Sequence, residues 1–216
     1  FFTNVSHEIR TPLTVIMGLS EALLHSQRFA ADIHNKLQGI YRNSQQLRDL
    51  ISELLDFKKQ EHKQGKLCVE ETQWSAFVKT ICSLFKEYAN AKDISLTINA
   101  TTDTMVWIDQ KQMKKVVNNL IANALKYTPQ GGTIVVTTQT TATDALLQVA
   151  DSGKGIASAD LEHVFDCFYQ VKEFESLTEI GTGIGLNLTQ TIVQQHHGTI
   201  HVTSEINKGT TFIVAI

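Results

Sequence analysis

Apolar residues in the first sixty positions recur at spacings of three and four, the mark of amphipathic helices. Phe2, Val5, Ile9, Ile16, Leu19 and Leu23 form one stripe, interrupted where Pro12 takes an expected apolar position. Leu37, Ile40, Ser44, Leu47, Ile51 and Leu54 form a second, widened by Leu50 and Leu55. Ser26–Asp32 is the predicted connection, with Asp32 as N-cap of the second helix. Two helices, each with one apolar stripe, cannot bury both stripes between themselves alone. A homodimer closing a four-helix bundle is the expected solution, and a hairpin packed on the rest of its own chain the alternative.

The periodicity lapses across Glu61–Lys66, a polar stretch containing Gly65 and the expected linker. Beyond it, Leu67–Glu70 reads as a short extended run. Ser75 is placed to cap a helix carrying Phe77, Ile81, Leu84, Phe85 and Tyr88. Ile94–Asn99 and Met105–Ile108 alternate as strands, and a helix is predicted from Asp109 to Tyr127. Thr133–Thr141 and Ala145–Ala150 are strands, Asp151–Gly185 is glycine-rich and irregular, and Ile184–His197 is a helix. Thr199–Ser204 and Thr210–Ile216 close a hairpin. Strands and helices mix without regular βαβ alternation. The expected class is therefore α+β: a helical hairpin over 1–64, then an α/β sandwich over 65–216.

Acidic residues outnumber basic ones only slightly, 22 against 19, so composition offers no case for direct nucleic-acid binding. No stretch approaches the roughly 20 apolar residues that span a bilayer, so no membrane contact is expected in this segment. Cys68, Cys82 and Cys167 are far apart, which suits a reducing compartment and argues against disulfides and a zinc site. Trp74, Trp107 and most phenylalanines are expected in the core. His25, His34, His62, His163, His196, His197 and His201 lack acidic partners at metal-ligand spacing and are expected in surface or structural roles.

Candidate chemistry starts at Ser6-His7-Glu8-Ile9-Arg10-Thr11-Pro12. On a helix His7 and Thr11 share a face, and Pro12 kinks the backbone beside them. An exposed imidazole with an ordinary pKa is substantially uncharged at cellular pH and can act as a nucleophile, with Glu8 accepting its other ring proton. Farther along, Asn119, Asn123, Lys126 and Tyr127 form a polar stripe on the predicted helix, able to hold Mg²⁺ and phosphate oxygens through amide carbonyls and charge. Asp151 at a strand end, followed by Gly153, Gly155 and Ile156, can accept from an exocyclic amino group and so select adenine over guanine. Gly181, Thr182, Gly183, Gly185 and Leu186 open a helix whose free N–H groups suit phosphate. That run is neither a Walker A sequence nor a Rossmann fingerprint.

In this order the segments resemble the boxes of sensor histidine kinases of bacterial two-component systems, across essentially the whole chain. Phe1–Thr14 resembles the H box, Asn119–Pro129 the N box, Asp151–Ile156 the first glycine box, and Gly181–Leu186 the second. Val164-Phe165-Asp166-Cys167-Phe168-Tyr169 resembles the F box, and Gly209-Thr210-Thr211-Phe212 the closing strand. The resemblance implies ATP and Mg²⁺ as cofactors, with Asn123 as the Mg²⁺ ligand and Phe165 and Phe168 anchoring a lid over ATP. It implies autophosphorylation of His7, transfer to an aspartate of a response-regulator receiver domain, and a role for Thr11 in dephosphorylating that partner. It further implies a homodimer forming the cytoplasmic portion of an inner-membrane sensor, with Phe1-Phe2-Thr3-Asn4 reminiscent of hybrid sensors. Cys167 stands where a basic residue is common, and Lys172 is the candidate substitute. The competing accounts are an ATPase of the gyrase, Hsp90 or mismatch-repair type, and a degenerate nucleotide-binding scaffold.

Overall fold

The second apolar stripe forms one unbroken 32-residue helix, α2, Ala31–His62, a rod about 48 Å long. Before it, residues 13–23 form α1. The computed structural model describes residues 13–23, 31–62, 67–100, 104–141, 144–171 and 183–216. The expected linker lies largely outside them. The chain divides into two units, Phe1–Gln64 and Gly65–Ile216. Asp32 is not the residue before α2, which already includes Ala31.

Within the first unit Leu13 and Ile51 are buried together, and Ser44 is buried on the same helix as Ile51. Most of the predicted stripe that lies among the described residues is not covered. Ile16, Leu19, Leu23, Ile40 and Leu47 are exposed, and Leu13, Ile16, Ile40 and Leu47 line an open groove. No helix among the described residues is long and apolar enough to cross a membrane.

The second unit runs β1 (Glu70–Gln73), α3 (Trp74–Ser83), α4 (Lys86–Ala91), β2 (Ser95–Ala100), β3 (Met105–Ile108) and α5 (Gln110–Tyr127). It continues with β4 (Thr133–Thr140), β5 (Ala145–Asp151), α6 (Ser158–Leu161), α7 (Gly185–Gln195), β6 (Thr199–Glu205) and β7 (Gly209–Ala215). Five strands make one sheet in the order β2-β4-β5-β7-β6, and β1 pairs with β3 separately. Only β2 and β4 run parallel in the large sheet; the long crossover through β3 and α5 is what a parallel pair requires. Alternation along the strands turns Ile134, Val136, Leu147, Val149 and Val214 into one core. Met113, Val117, Leu120 and Ile121 of α5, with Ile192 and Val193 of α7, meet them there. The result is a mixed α+β sandwich.

Several local expectations are corrected. The extended run placed at Leu67–Glu70 forms three residues later, as β1. Ser75 does not cap α3, which begins at Trp74 without a side-chain cap. Its hydroxyl is buried, 2.9 Å from Thr138 Oγ1 of β4, because Ser75 faces the sheet. The helix expected to continue through Tyr88 breaks at Leu84 and Phe85, whose N–H groups bond three residues back, to Ile81 and Cys82. Trp74 is fully buried and donates its indole N–H to Leu146 O at 3.0 Å, but Trp107 is 68% exposed. In the two-stranded sheet Val106 and Ile108 turn inward, so Met105 and Trp107 must turn out. Cys82 is sealed in the core, and burial pushes its thiol up to about 12, so it packs as a small apolar side chain.

Asp109 is the N-cap of α5. Its Oδ1 accepts from Gln112 N–H at 3.0 Å and its Oδ2 from Cys68 N–H at 3.1 Å. Its own N–H donates to His196 Nε2 at 3.1 Å, so the ring proton of His196 sits on Nδ1 and donates to Ile192 O. This joint binds the start of α5 to the end of α7. Asp109→Ala should lower the unfolding free energy by about 1–2 kcal/mol, read as a fall in urea midpoint with the slope unchanged.

Candidate functional site

The polar stripe on α5 exists because 3.6 residues per turn place Asn119, Asn123, Lys126 and Tyr127 beside the buried Met113–Val117–Leu120–Ala124 side. All four are half-buried. Asn119 Nδ2 donates to Thr189 Oγ1 of α7 at 2.8 Å. Gly185 packs so closely that a Cβ there would overlap Asn119 Oδ1. Asn123 takes no hydrogen bond among the described residues, which leaves its carbonyl oxygen available. Lys126 Nζ lies 4.8 Å from the centroid of the Tyr127 ring.

Asp151 ends β5 opposite Thr210 of β7. Its Oδ1 accepts from Gly153 N–H at 2.8 Å and Thr210 N–H at 3.2 Å, while Oδ2 takes no donor among the described residues. Burial raises its pKa above the ordinary carboxylate range, against the pull of those two N–H groups. The loop that follows is stitched to the β6–β7 hairpin. Ile156 N–H donates to Ser204 Oγ at 2.8 Å, and Asn207 N–H to Lys154 O at 2.7 Å. Gly155 has φ +71° and meets the Glu205 backbone so closely that any side chain would collide.

Phe165 and Phe168 are tied to the start of α7 and to β7. Phe168 N–H donates to Gly183 O at 2.9 Å, and Phe168 itself has φ +68°, a costly conformation for a bulky residue. Phe165 meets Phe212 edge-on at 6.4 Å, and its carbonyl accepts from Asn187 Nδ2 at 2.8 Å. Leu186 packs against the core and Cys167 is half-buried. His163 takes a surface role, with its Nδ1 2.8 Å from Oδ2 of the exposed Asp166. No group of three or more His, Cys, Asp and Glu suited to a metal occurs among the described residues.

The structure thus joins Asn119 to Gly185, Asp151 to Gly153 and Thr210, and Phe168 to Gly183. His7, Glu8, Thr11, Lys172, Gly181 and Thr182 lie outside the described residues. Ser204, Asn187 and Thr189 were not singled out by sequence: one serine on an alternating strand and two polar residues on a helix carry no signal until their partners are known.

Residues 108–216 match the family model for histidine kinase-, DNA gyrase B-, and HSP90-like ATPases, and residues 1–63 the His Kinase A phospho-acceptor domain. The chain belongs to the sensor histidine kinases. It is similar to sensor protein SrrB of Staphylococcus aureus, 32% identical over 217 residues, spanning all of this chain but 37% of that protein's length. Full-length ShkA, solved with AMPPNP, superposes with a TM-score of 0.81 at 22% identity, over 99% of this chain and 44% of that one. Histidine kinase ThkA, solved with response regulator TrrA, gives a TM-score of 0.71 at 24% identity, over 99% and 60%. At those identities the two structures speak to the fold.

The raised pKa of Asp151 has a consequence for stability. Its favourable contribution is present below the ordinary aspartate value, near 3.9, and is lost as pH rises through the raised folded value. At neutral pH the carboxylate therefore destabilises the fold. Asp151→Asn should be more stable than the parent at pH 7, in urea unfolding, with the gap closing toward pH 4.

Proposed function

We propose that this chain transfers the γ-phosphoryl group of ATP to a ring nitrogen of His7 and passes it to an aspartate of a response-regulator receiver domain. Asp151 carries this assignment. Its Oδ1 is clamped by two N–H groups while Oδ2 takes no donor among the described residues, the arrangement that the exocyclic amino group of adenine needs.

Asn119, Lys126, Tyr127, Gly153, Gly155 and Ile156 complete the proposed nucleotide pocket with Asp151 and Thr210. Gly181, Thr182, Gly183, Gly185 and Leu186 bring N–H groups at the start of α7 to the phosphates. Phe165 and Phe168 anchor the segment beside it. The unpaired carbonyl of Asn123 fits a hard cation that takes one amide oxygen and completes its shell with phosphate oxygens and water. Mg²⁺, were it held there by Asn123, would supply charge neutralisation for the transferring group.

His7 attacks phosphorus, the bond to the β-phosphate oxygen breaks, and ADP departs while Glu8 accepts the other ring proton. Thr11, four residues after His7 in the sequence, positions water for dephosphorylating the receiver. The helical hairpin at 1–64 supplies the phosphoacceptor and 65–216 the nucleotide site, so the connection near Gly65 acts as the hinge. The exposed Ile16, Leu19, Leu23, Ile40 and Leu47 support a homodimer that covers them in a four-helix bundle. Partner choice is supported by ThkA, which shares the fold and was solved with a response regulator. The whole protein is proposed to be a membrane-anchored sensor, with this part on the cytoplasmic side.

Incubation with Mg²⁺ and γ-labelled ATP tests the proposal. Acid-labile, alkali-stable label is expected on the parent and none on His7→Gln; equal label on both would sink it. Asn123→Ala should slow labelling by roughly a hundredfold or more at unchanged thermal stability.

A further inference from the structure

We propose that Ser204 helps to select the nucleobase, by fixing the direction in which the Thr210 hydroxyl proton points. The proposal rests on Asp151 being the contact to adenine.

Ser204 Oγ makes three close contacts: Gly209 O at 2.8 Å, Ile156 N at 2.8 Å and Thr210 Oγ1 at 2.9 Å. A serine hydroxyl has one proton and two lone pairs. Gly209 O is a carbonyl and can only accept, so the Ser204 proton goes there. Ile156 N–H can only donate, so it takes one lone pair. The contact to Thr210 must then run the other way, with the Thr210 hydroxyl donating to Ser204. All three positions on Ser204 are used, and no second arrangement satisfies the same partners.

Thr210 is buried and stands opposite Asp151 in the β5–β7 register. With its proton committed to Ser204, Thr210 Oγ1 can offer further groups only lone pairs. Asp151 beside it also offers only lone pairs, from Oδ2 above all. This corner of the site is therefore acceptor-only. It suits the 6-amino group of adenine and opposes the 6-oxo group of guanine, which would bring acceptor against acceptor. Without the Ser204 oxygen, the Thr210 hydroxyl would be free to rotate and donate, and a 6-oxo purine would be tolerated. Ser204 is on this account a positioning residue that acts through Thr210.

Binding of Mg-ATP and of Mg-GTP to the full 216-residue chain should be titrated by calorimetry in the parent, Ser204→Ala, Ser204→Thr and Asp151→Asn. The expected result is a preference for ATP over GTP that falls about tenfold in Ser204→Ala, with GTP affinity rising, and that returns in Ser204→Thr. Equal weakening of both nucleotides, or an unchanged ratio, would reduce Ser204 to a structural role and overturn the proposal. Should Ser204→Ala fail to fold by circular dichroism, Ser204→Cys carries the same test, its sulfur being a weak acceptor. An altered ratio in Asp151→Asn alone sinks only the role of Ser204. An unaltered ratio in both variants removes Asp151 as the base contact, and the proposal with it.

Discussion

A carboxylate taken half out of water at the end of a strand must be met by hydrogen-bond donors, or the strand will not hold it there. Asp151 is that carboxylate, and much of the second unit follows from meeting its need. Thr210 N–H reaches Oδ1 only because β7 begins at Gly209, whose φ of +114° and missing side chain let the backbone press against Asp151 O. The hairpin that delivers Gly209 also delivers Ser204 and Asn207, which hold Ile156 and Lys154. The glycine-rich loop is thus fixed by the neighbouring hairpin together with two bonds on its other side, Ser152 N–H to Thr133 O at 3.0 Å and Lys154 N–H to Tyr127 O at 3.3 Å.

The other wall depends on α5 and α7 being locked together. Asp109 and His196 join them at one end, and Asn119 and Thr189 bond across their middle. Gly185 permits the close approach that the Asn119–Thr189 bond requires. Apolar packing of α5 on the sheet could tolerate a small slide; these directional bonds cannot. Residues expected to hold phosphate and cation therefore sit on a platform whose rotation is fixed, a precondition for electrostatic positioning.

What could be seen in the sequence were periodicities and spacings. The stripe on α5, the alternation in β4 and β5 and the 199–216 hairpin are repeated patterns, and repetition averages out single exceptions. Trp107 and Ser75 defeated the same logic because each depends on a partner distant in sequence. A tryptophan on a strand is buried only if something covers that face, and the face of β3 it occupies is uncovered among the described residues. Ser75 looked like a cap because serines cap helices, but Thr138, 63 residues away, claims its hydroxyl. The Asp151 loop was legible as chemistry. Its dependence on Ser204 was not, since hydrogen-bond direction is a property of the assembled network.

The departures from ordinary protein physics are not spread evenly. Among the described residues, four have left-handed backbones despite carrying side chains: Asp93, Phe168, His197 and Asn207. Aspartate, asparagine and histidine adopt that region at modest cost in turns; Phe168 is the bulky exception, and it lies in the segment beside the proposed pocket. The buried side-chain atoms without a hydrogen-bond partner, among those described, are Asn187 Oδ1 in the first turn of α7 and Thr128 Oγ1 just past α5. Asp151 adds a carboxylate whose burial works against stability at neutral pH. Most are costs that a sequence selected for stability alone would shed, by Phe168→Gly, Thr128→Val or Asp151→Asn; Asn187 repays part of its own through the bond from Nδ2 to Phe165 O. Their concentration around the ends of α5, α7 and β5, where the proposed pocket lies, fits a site kept for binding against the interest of stability.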